Sequence, residues 1–164
     1  MPFSDIKGGA AGFDFLWYSD ELKSEGSFFP DPVTVNAEIA EVEGNYLADI
    51  RSSGRGRFIC DRCGEQFFSD ISGRVKSLYT FDPEQVKGEE QGDCHLISAS
   101  SQGLDLTQDA LDALLLGIPA RLLCTKECRG LCGRCGADLN HEKCKCTEGA
   151  SDPRWDGLKK LKFD

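Results

Sequence analysis

The sequence predicts an α+β fold: a β-rich antiparallel domain with one main helix, followed by a cysteine-pinned C-terminal segment and a short terminal helix. Three observations carry this. Apolar residues alternate along Val33, Val35, Ala37 and Ile39, the two-residue period of a half-buried strand. An apolar stripe at helical spacing occupies residues 106–115 between an acidic start and a Gly/Pro stop. Eight of the nine cysteines fall into short-spaced groups, six of them after residue 120.

The chain has 164 residues, 40% hydrophobic and 29% charged, enough apolar side chain for one core and too much for wholesale disorder. The organisation read from it is a body over 1–120 and a cysteine-rich tail over 121–164, packed on that body. Residues 1–30 mix Gly, Asp, Ser and the aromatics Phe13, Phe15, Trp17 and Tyr18 without a sustained period, as an irregular arm or an early strand. After the first clear strand, Gly44-Asn45 marks a turn, and Tyr46, Ala48 and Ile50 resume the alternation. The run Ser52-Ser53-Gly54-Arg55-Gly56 reads as a mobile connection to a third strand from Arg57 into Cys60.

A further strand places Ile71, Gly73, Val75, Ser77, Tyr79 and Phe81 on one face and Arg74, Lys76 and Thr80 on the other. The acidic stretch 82–93 is expected to be the most mobile part of the body, and Cys94–Ser100 another strand. The main helix is expected near 106–117. Asp105 and Gln108 have capping-box spacing, Leu106, Ala110, Leu111, Leu114 and Leu115 form the stripe, and Gly117 and Pro119 stop it. A shorter helix is expected from Ser151-Asp152-Pro153, with Trp155, Leu158 and Leu161 along one face.

Charge is uneven. The chain carries −9, yet residues 121–164 hold 10 basic and 7 acidic side chains, leaving 9 and 21 for the rest. An anionic partner is therefore expected to meet the tail rather than the body. No basic-then-apolar leader opens the chain and no apolar run approaches the roughly 20 residues of a membrane span, so a cytoplasmic protein with no membrane partner is expected.

In a reducing compartment, clustered cysteines point to metal rather than disulfides. Cys60-x2-Cys63 and Cys132-x2-Cys135 are each followed by glycine, Gly64 and Gly136. Such a loop aims two sulfurs at one ion while backbone N–H groups approach them. Together with Cys124, Cys128, Cys144 and Cys146 they supply eight thiolates, enough for two tetrahedral zinc ions of structural type. The favoured grouping is Cys60, Cys63, Cys124 and Cys128 in one site and Cys132, Cys135, Cys144 and Cys146 in the other. The exchanged grouping, with Cys60 and Cys63 joined to Cys132 and Cys135, stays open. A redox dithiol is the rival, but the surrounding pattern lacks the βαβ context of thioredoxin-like motifs.

His141, between Cys135 and Cys144, either replaces a sulfur or is an exposed loop histidine. His95 beside Cys94 reads as a packing residue, no Ser-His-Asp arrangement stands out, and no catalytic residue is assigned. Arg129, Arg134, Lys143 and Lys145 are interleaved with the tail cysteines, and Arg55, Arg57 and Arg62 flank the upstream pair. If the two knuckles meet, these side chains converge and can contact phosphates; otherwise they offset the thiolates in solvent.

The run from Cys124-Thr-Lys-Glu-Cys128 through Cys132-Gly-Arg-Cys135-Gly-Ala-Asp-Leu-Asn140, then Cys144-Lys-Cys146 and Asp152-Pro-Arg154-Trp155, resembles the bacterial YceD family. Cys60-Asp-Arg-Cys63 and the segment from Leu104-Asp-Leu106 to Ile118-Pro119 match in the same order, so that the resemblance covers roughly 30–163. It implies a non-enzymatic cytoplasmic factor in ribosome biogenesis that promotes synthesis, processing or accumulation of large-subunit (23S) ribosomal RNA. The implied partner is precursor rRNA or a pre-ribosomal particle. An adaptor that docks a ribosomal protein or a processing enzyme is the alternative, and a thiol oxidoreductase the last.

Overall fold

The computed structural model describes residues 1–6, 10–18, 29–87, 94–146 and 154. Among these residues five strands form one sheet in chain order: β1 (Ala10–Trp17), β2 (Val33–Val42), β3 (Asn45–Ile59), β4 (Gln66–Thr80) and β5 (Cys94–Leu96). One helix, α1 (Thr107–Leu116), crosses β3 and β4. The result is mostly sheet with one main helix, in agreement with an α+β class. The first four strands form an antiparallel meander, but β5 lies parallel to β4, Tyr79 facing His95, so the sheet is mixed rather than wholly antiparallel.

The alternation in β2 faces inward as read: Val33, Val35, Ala37 and Ile39 are buried, as are Ala48 and Ile50 on β3 and Ile71 and Tyr79 on β4. The opening residues do contain a strand, β1, whose Phe13, Phe15 and Trp17 pack against this core. The β2–β3 turn lies one residue earlier than expected. Val42 pairs with Asn45, and Glu43 and Gly44 take φ of 51° and 80°, the two left-handed residues of a turn that matches strand twist.

The largest departure is β3. The Ser52–Gly56 run is not a connection but the middle of a 15-residue strand paired to β4 throughout. Its small residues answer to packing. Ser52 is buried and donates its hydroxyl to the Ala110 carbonyl at 2.7 Å, tying the strand to α1. A Cβ on Gly56 would lie 2.4 Å from the Phe58 ring, and one on Gly54 3.0 Å from a Val33 methyl. Glycine here is space for neighbouring side chains.

Helix α1 starts one residue later than expected, and its cap differs. Asp105 accepts from the Thr107 N–H at 3.0 Å and the Thr107 hydroxyl at 2.6 Å, and these bonds hold its carboxyl below the usual range. Gln108 does not reach back to complete a capping box; it donates forward to Asp112 at 2.9 Å. Leu106, Ala110 and Leu114 are buried, but Leu115 is 46% exposed and falls off the stripe. The expected strand over 94–100 stops at Leu96, because Ser98 and Ser100 satisfy each other locally and Ser101 donates to the Ser98 carbonyl. Residues 88–93 and the expected terminal helix from Ser151 lie outside the described residues, apart from Arg154.

A buried carboxylate joins α1 to β4 and to the edge strand β5. Asp109 accepts from the Ser77 hydroxyl at 2.6 Å, from His95 Nε2 at 2.9 Å and from the Tyr79 hydroxyl. The His95 ring lies 4.8 Å from that of Tyr79, and burial, then Asp109, push the Tyr79 phenol well above its ordinary value. Ser77 and His95 address the same carboxylate oxygen, so the imidazole does not stand between serine and acid as it does in a Ser-His-Asp relay. Asp109→Asn keeps the volume but sets an N–H₂ either against the Ser77 hydroxyl and His95 or against the Tyr79 hydroxyl. It is expected to cost about 2 kcal/mol, read as a lowered urea midpoint. Among the described residues, no helix is long and apolar enough to cross a membrane.

Candidate metal centres

The β3–β4 hairpin builds the first half of a site. Ile59 pairs with Gln66, so Cys60–Glu65 is the hairpin loop. Within it Cys60 N–H donates to the Glu65 carbonyl at 2.9 Å and Gly64 N–H to the Cys60 carbonyl at 2.9 Å, with Gly64 at φ +75°. The second knuckle repeats this bond for bond: Cys132 N–H to the Ala137 carbonyl at 2.8 Å, Gly136 N–H to the Cys132 carbonyl at 2.9 Å, Gly136 at φ +73°. A residue with a Cβ is strained in that left-handed region, which explains the glycine after each pair.

The segment after α1 straddles the hairpin loop. Asp61 N–H donates to the Leu122 carbonyl at 2.8 Å, and the Asp61 carboxylate accepts from Leu122 N–H at 2.7 Å. Arg62 donates Nη1 to the Cys128 carbonyl at 2.6 Å, and its own carbonyl accepts from Leu131 N–H at 3.2 Å. Gly130, at φ +73°, lets the chain pass where a Cβ would meet the Arg62 carbonyl at 3.0 Å.

This docking gathers four sulfurs, from Cys60, Cys63, Cys124 and Cys128, all within 4.8 Å of one another. Cys60 and Cys128 Sγ are 3.8 Å apart, Cys63 and Cys124 Sγ 3.7 Å. A tetrahedral ion with metal–sulfur bonds of about 2.3 Å sets its sulfurs about 3.8 Å apart, whereas a disulfide needs about 2.05 Å. Spacing and donor type thus fit a tetrahedral metal, and all nine cysteines are free thiols. Cys60, Cys63 and Cys128 are buried with Phe67 and Leu123 against them.

The second tetrad is Cys132, Cys135, Cys144 and Cys146, with Cys132–Cys144 at 3.2 Å and Cys135–Cys144 at 3.6 Å. It lies nearer the surface, where Cys135 and Cys146 are exposed. Of the two groupings left open by spacing, the geometry is that of Cys60 and Cys63 with Cys124 and Cys128.

Each tetrad contains one acidic thiol and one very weak one. Burial opposes ionisation of Cys60, but the N–H groups of Cys124, Cys63 and Arg62 bring it down to about 6. The N–H groups of Cys135 and Arg134 bring Cys132 down to about 6. Despite a bond from the Glu65 backbone, burial and the neighbouring sulfurs push Cys63 up to about 12, and Cys144 and Cys135 push Cys146 up to about 12. Crowded thiolates resist joint ionisation unless a cation offsets them.

Asn140 links the centres, and cysteine spacing gives no sign of it. Its Nδ2 donates to Cys128 Sγ at 3.4 Å and to Asp138 at 2.8 Å, and its Oδ1 accepts from Arg129 N–H at 2.7 Å. A side chain near the second knuckle thereby bonds a sulfur of the first tetrad. His141 is in neither tetrad. It is exposed, with Nε2 3.6 Å from Glu65 and 3.7 Å from Asp138. Cys94 stands apart on β5, its sulfur 3.9 Å from the Gln85 carbonyl.

Arg55, Arg57, Arg62, Arg129, Arg134, Lys143 and Lys145 lie at the surface around the two knuckles and along β3. Arg62 is committed to Cys128, and Arg55 lies 5.3 Å over the Phe68 ring.

The match to known proteins follows the same landmarks. A plastid relative in Arabidopsis thaliana, named a chloroplastic YCED homolog 1 of the large ribosomal RNA subunit accumulation proteins, is 25% identical over 165 residues, covering 82% of this chain and 50% of the relative. An uncharacterized protein of Mycobacterium tuberculosis is 31% identical over 100 residues, 58% of this chain and 45% of its own. One from Mycobacterium leprae is 28% identical over 110 residues, 66% and 49% respectively. The chain spans about half the length of the curated relatives it matches. No solved structure matches it significantly. The model of one family, described as large ribosomal RNA subunit accumulation protein YceD, matches residues 48–162, a span holding both knuckles, the main helix and all eight clustered cysteines, and the chain belongs to that family.

Proposed function

We propose that this chain is a non-enzymatic factor that promotes accumulation of large-subunit (23S) ribosomal RNA during ribosome assembly in the cytoplasm. Two structural zinc ions pin its tail, 121–164, to its body, 1–120. The carrying observation is the tetrad of Cys60, Cys63, Cys124 and Cys128, whose sulfur spacing fits one tetrahedral ion between hairpin loop and tail. Four thiolates and no other donor favour zinc, and fill every position a substrate would need. Such a site holds structure. When bound, zinc supplies charge compensation and a cross-link; the chain's own residues supply the surface.

That surface is the basic set around the knuckles, Arg129, Arg134, Lys143 and Lys145 with Arg55 and Arg57, directed at precursor rRNA or a pre-ribosomal particle. Changing Arg129, Arg134, Lys143 and Lys145 together to Gln is expected to weaken binding to precursor 23S rRNA. The slope of log affinity on log salt should fall by about 0.7–0.9 for each phosphate no longer neutralised, measured by filter binding across a salt series. An unchanged slope would reject this face.

A second reading has its own support, the excess of 21 acidic over 9 basic side chains in residues 1–120. In that reading the body docks a basic ribosomal protein or a processing enzyme, and capture of the partner survives nuclease treatment. A thiol oxidoreductase ranks last, because the knuckle sulfurs face tetrad partners rather than a substrate.

A further inference from the structure

Resting on that reading, we propose that the open face of β3 and β4 beside the first tetrad is a stacking platform for unpaired RNA bases, with Phe68 as its ring and Arg55 and Arg57 as its phosphate-binding groups. Helix α1 covers one face of the sheet, and among the described residues no element packs on the other face of β3 and β4. Residues alternate between these faces, and the two longest strands put all their charges on the open one. Arg51, Arg55 and Arg57 of β3 and Arg74 and Lys76 of β4 stand there with Asp49 and Asp70, and the register adds Glu38 of β2 and Asp14 of β1 to the same face. Asp49 is occupied by Arg74 at 2.6 Å and lies 4.0 Å from Arg51. Across β1 to β4 the face holds five basic and four acidic side chains, and its basic character is concentrated at the loop end, where β3 and β4 contribute Arg55 and Arg57 with Asp70.

Within it lies an apolar spot that the fold does not need. Phe68 is 52% exposed and Ile59 60%, near the hairpin loop that carries Cys60 and Cys63. Arg57 sits directly opposite Phe68 in the register, and Asp70 opposite Arg55. The Arg55 guanidinium, 5.3 Å from the Phe68 centroid, extends the ring, since bases stack on guanidinium planes as they do on aromatics. From Arg51 to Arg57 the strand runs about 20 Å, room for a few extended nucleotides. A solvated sheet face with an aromatic among arginines suits single strands, whose bases are free to stack, and not a duplex, whose bases are already stacked.

The test is fluorescence anisotropy with the full chain in its zinc-bound form. The probes are a fluorescein-labelled single-stranded 12-nucleotide RNA of mixed sequence and its duplex. Phe68→Ala is expected to weaken single-strand binding about 10-fold and Phe68→Tyr to restore it. Arg55→Gln with Arg57→Gln should lower the salt slope by about 0.7 per phosphate released. Leu47→Ala, outward on the same strand but far from the loop, should leave affinity unchanged, and a thermal melt of each variant checks folding. The proposal is overturned if Phe68→Ala binds like the native chain, if duplex binds as tightly as single strand, or if the native chain binds neither. It is equally overturned if Phe68→Ala abolishes capture of a basic ribosomal protein while RNA affinity stays intact. The binding assay reads the platform alone. Levels of 23S rRNA in cells lacking the protein, with and without the native chain restored, read the accumulation role alone, so the two fail separately.

Discussion

Replacing Cys128 with serine is expected to halve the zinc content and free the segment after α1 from the hairpin loop. Cys128 is 1% exposed, faces Cys60 at 3.8 Å and accepts from Asn140, so the hydroxyl that replaces it meets three crowded sulfurs and no solvent. Structural zinc contributes apparent binding free energies of about 10–16 kcal/mol, as large as the whole net stability of an ordinary domain. The effect should be larger than that of Cys144→Ser. The first tetrad ties positions 68 residues apart and the second closes a 12-residue loop, a difference of about 1.5 kcal/mol in closure entropy alone. Limited proteolysis read by mass spectrometry should open Cys128→Ser within 119–131 and Cys144→Ser only beyond 131. A native cleavage pattern in Cys128→Ser would contradict the cross-link.

Acid should do what the substitution does. In each tetrad a thiol pushed up to about 12, Cys63 or Cys146, must give up its proton when metal binds. Binding therefore releases protons, and falling pH drives metal off.

The second large effect concerns no sulfur at all. Gly73→Ala is expected to destabilise the body by about 3 kcal/mol, because a Cβ there would stand 1.8 Å from the Ala113 carbonyl oxygen and 2.8 Å from Gly117 N. Both obstacles are helix backbone, which cannot rotate aside. Gly117 faces the same approach from the other side, where a Cβ would lie 2.7 Å from the Ser72 carbonyl, so this pair of glycines sets how closely α1 lies on β4. To admit the methyl group the helix must lift from the sheet, disturbing Ser52–Ala110 and the Asp109 cluster. Urea unfolding followed by tryptophan fluorescence measures the loss. An unchanged midpoint would mean that the helix seats further out.

These two results come from different depths of legibility. The cysteine spacings, the glycine after each pair and the alternation along β2 are local, and local pattern reveals them. The seat of Gly73 against α1 is a contact between distant segments, so the glycine reads only as one more residue of the inward parity. The same holds for Ser52–Gly56, whose small polar composition imitates a loop while its real constraint is room for Phe58 and Val33. β5 has three residues, too short for a period, and its parallel pairing with β4 is a contact that no local pattern encodes. Knuckle spacing limits which sulfurs can share an ion without choosing between groupings; the choice is made where Asp61 and Arg62 hold the 122–131 segment. Asn140 is invisible in the pattern because donation to a sulfur has no sequence period, and Phe68 because its exposure depends on which face α1 covers.

The most direct test of the central claim, that two thiolate tetrads hold metal and join tail to body, is X-ray absorption at the zinc edge on the purified chain with its metal counted. Two zinc ions per chain are expected, each with four sulfur neighbours at about 2.3 Å and no nitrogen or oxygen shell. Fewer than two ions, or a mixed shell with nitrogen or oxygen in place of sulfur, would contradict it.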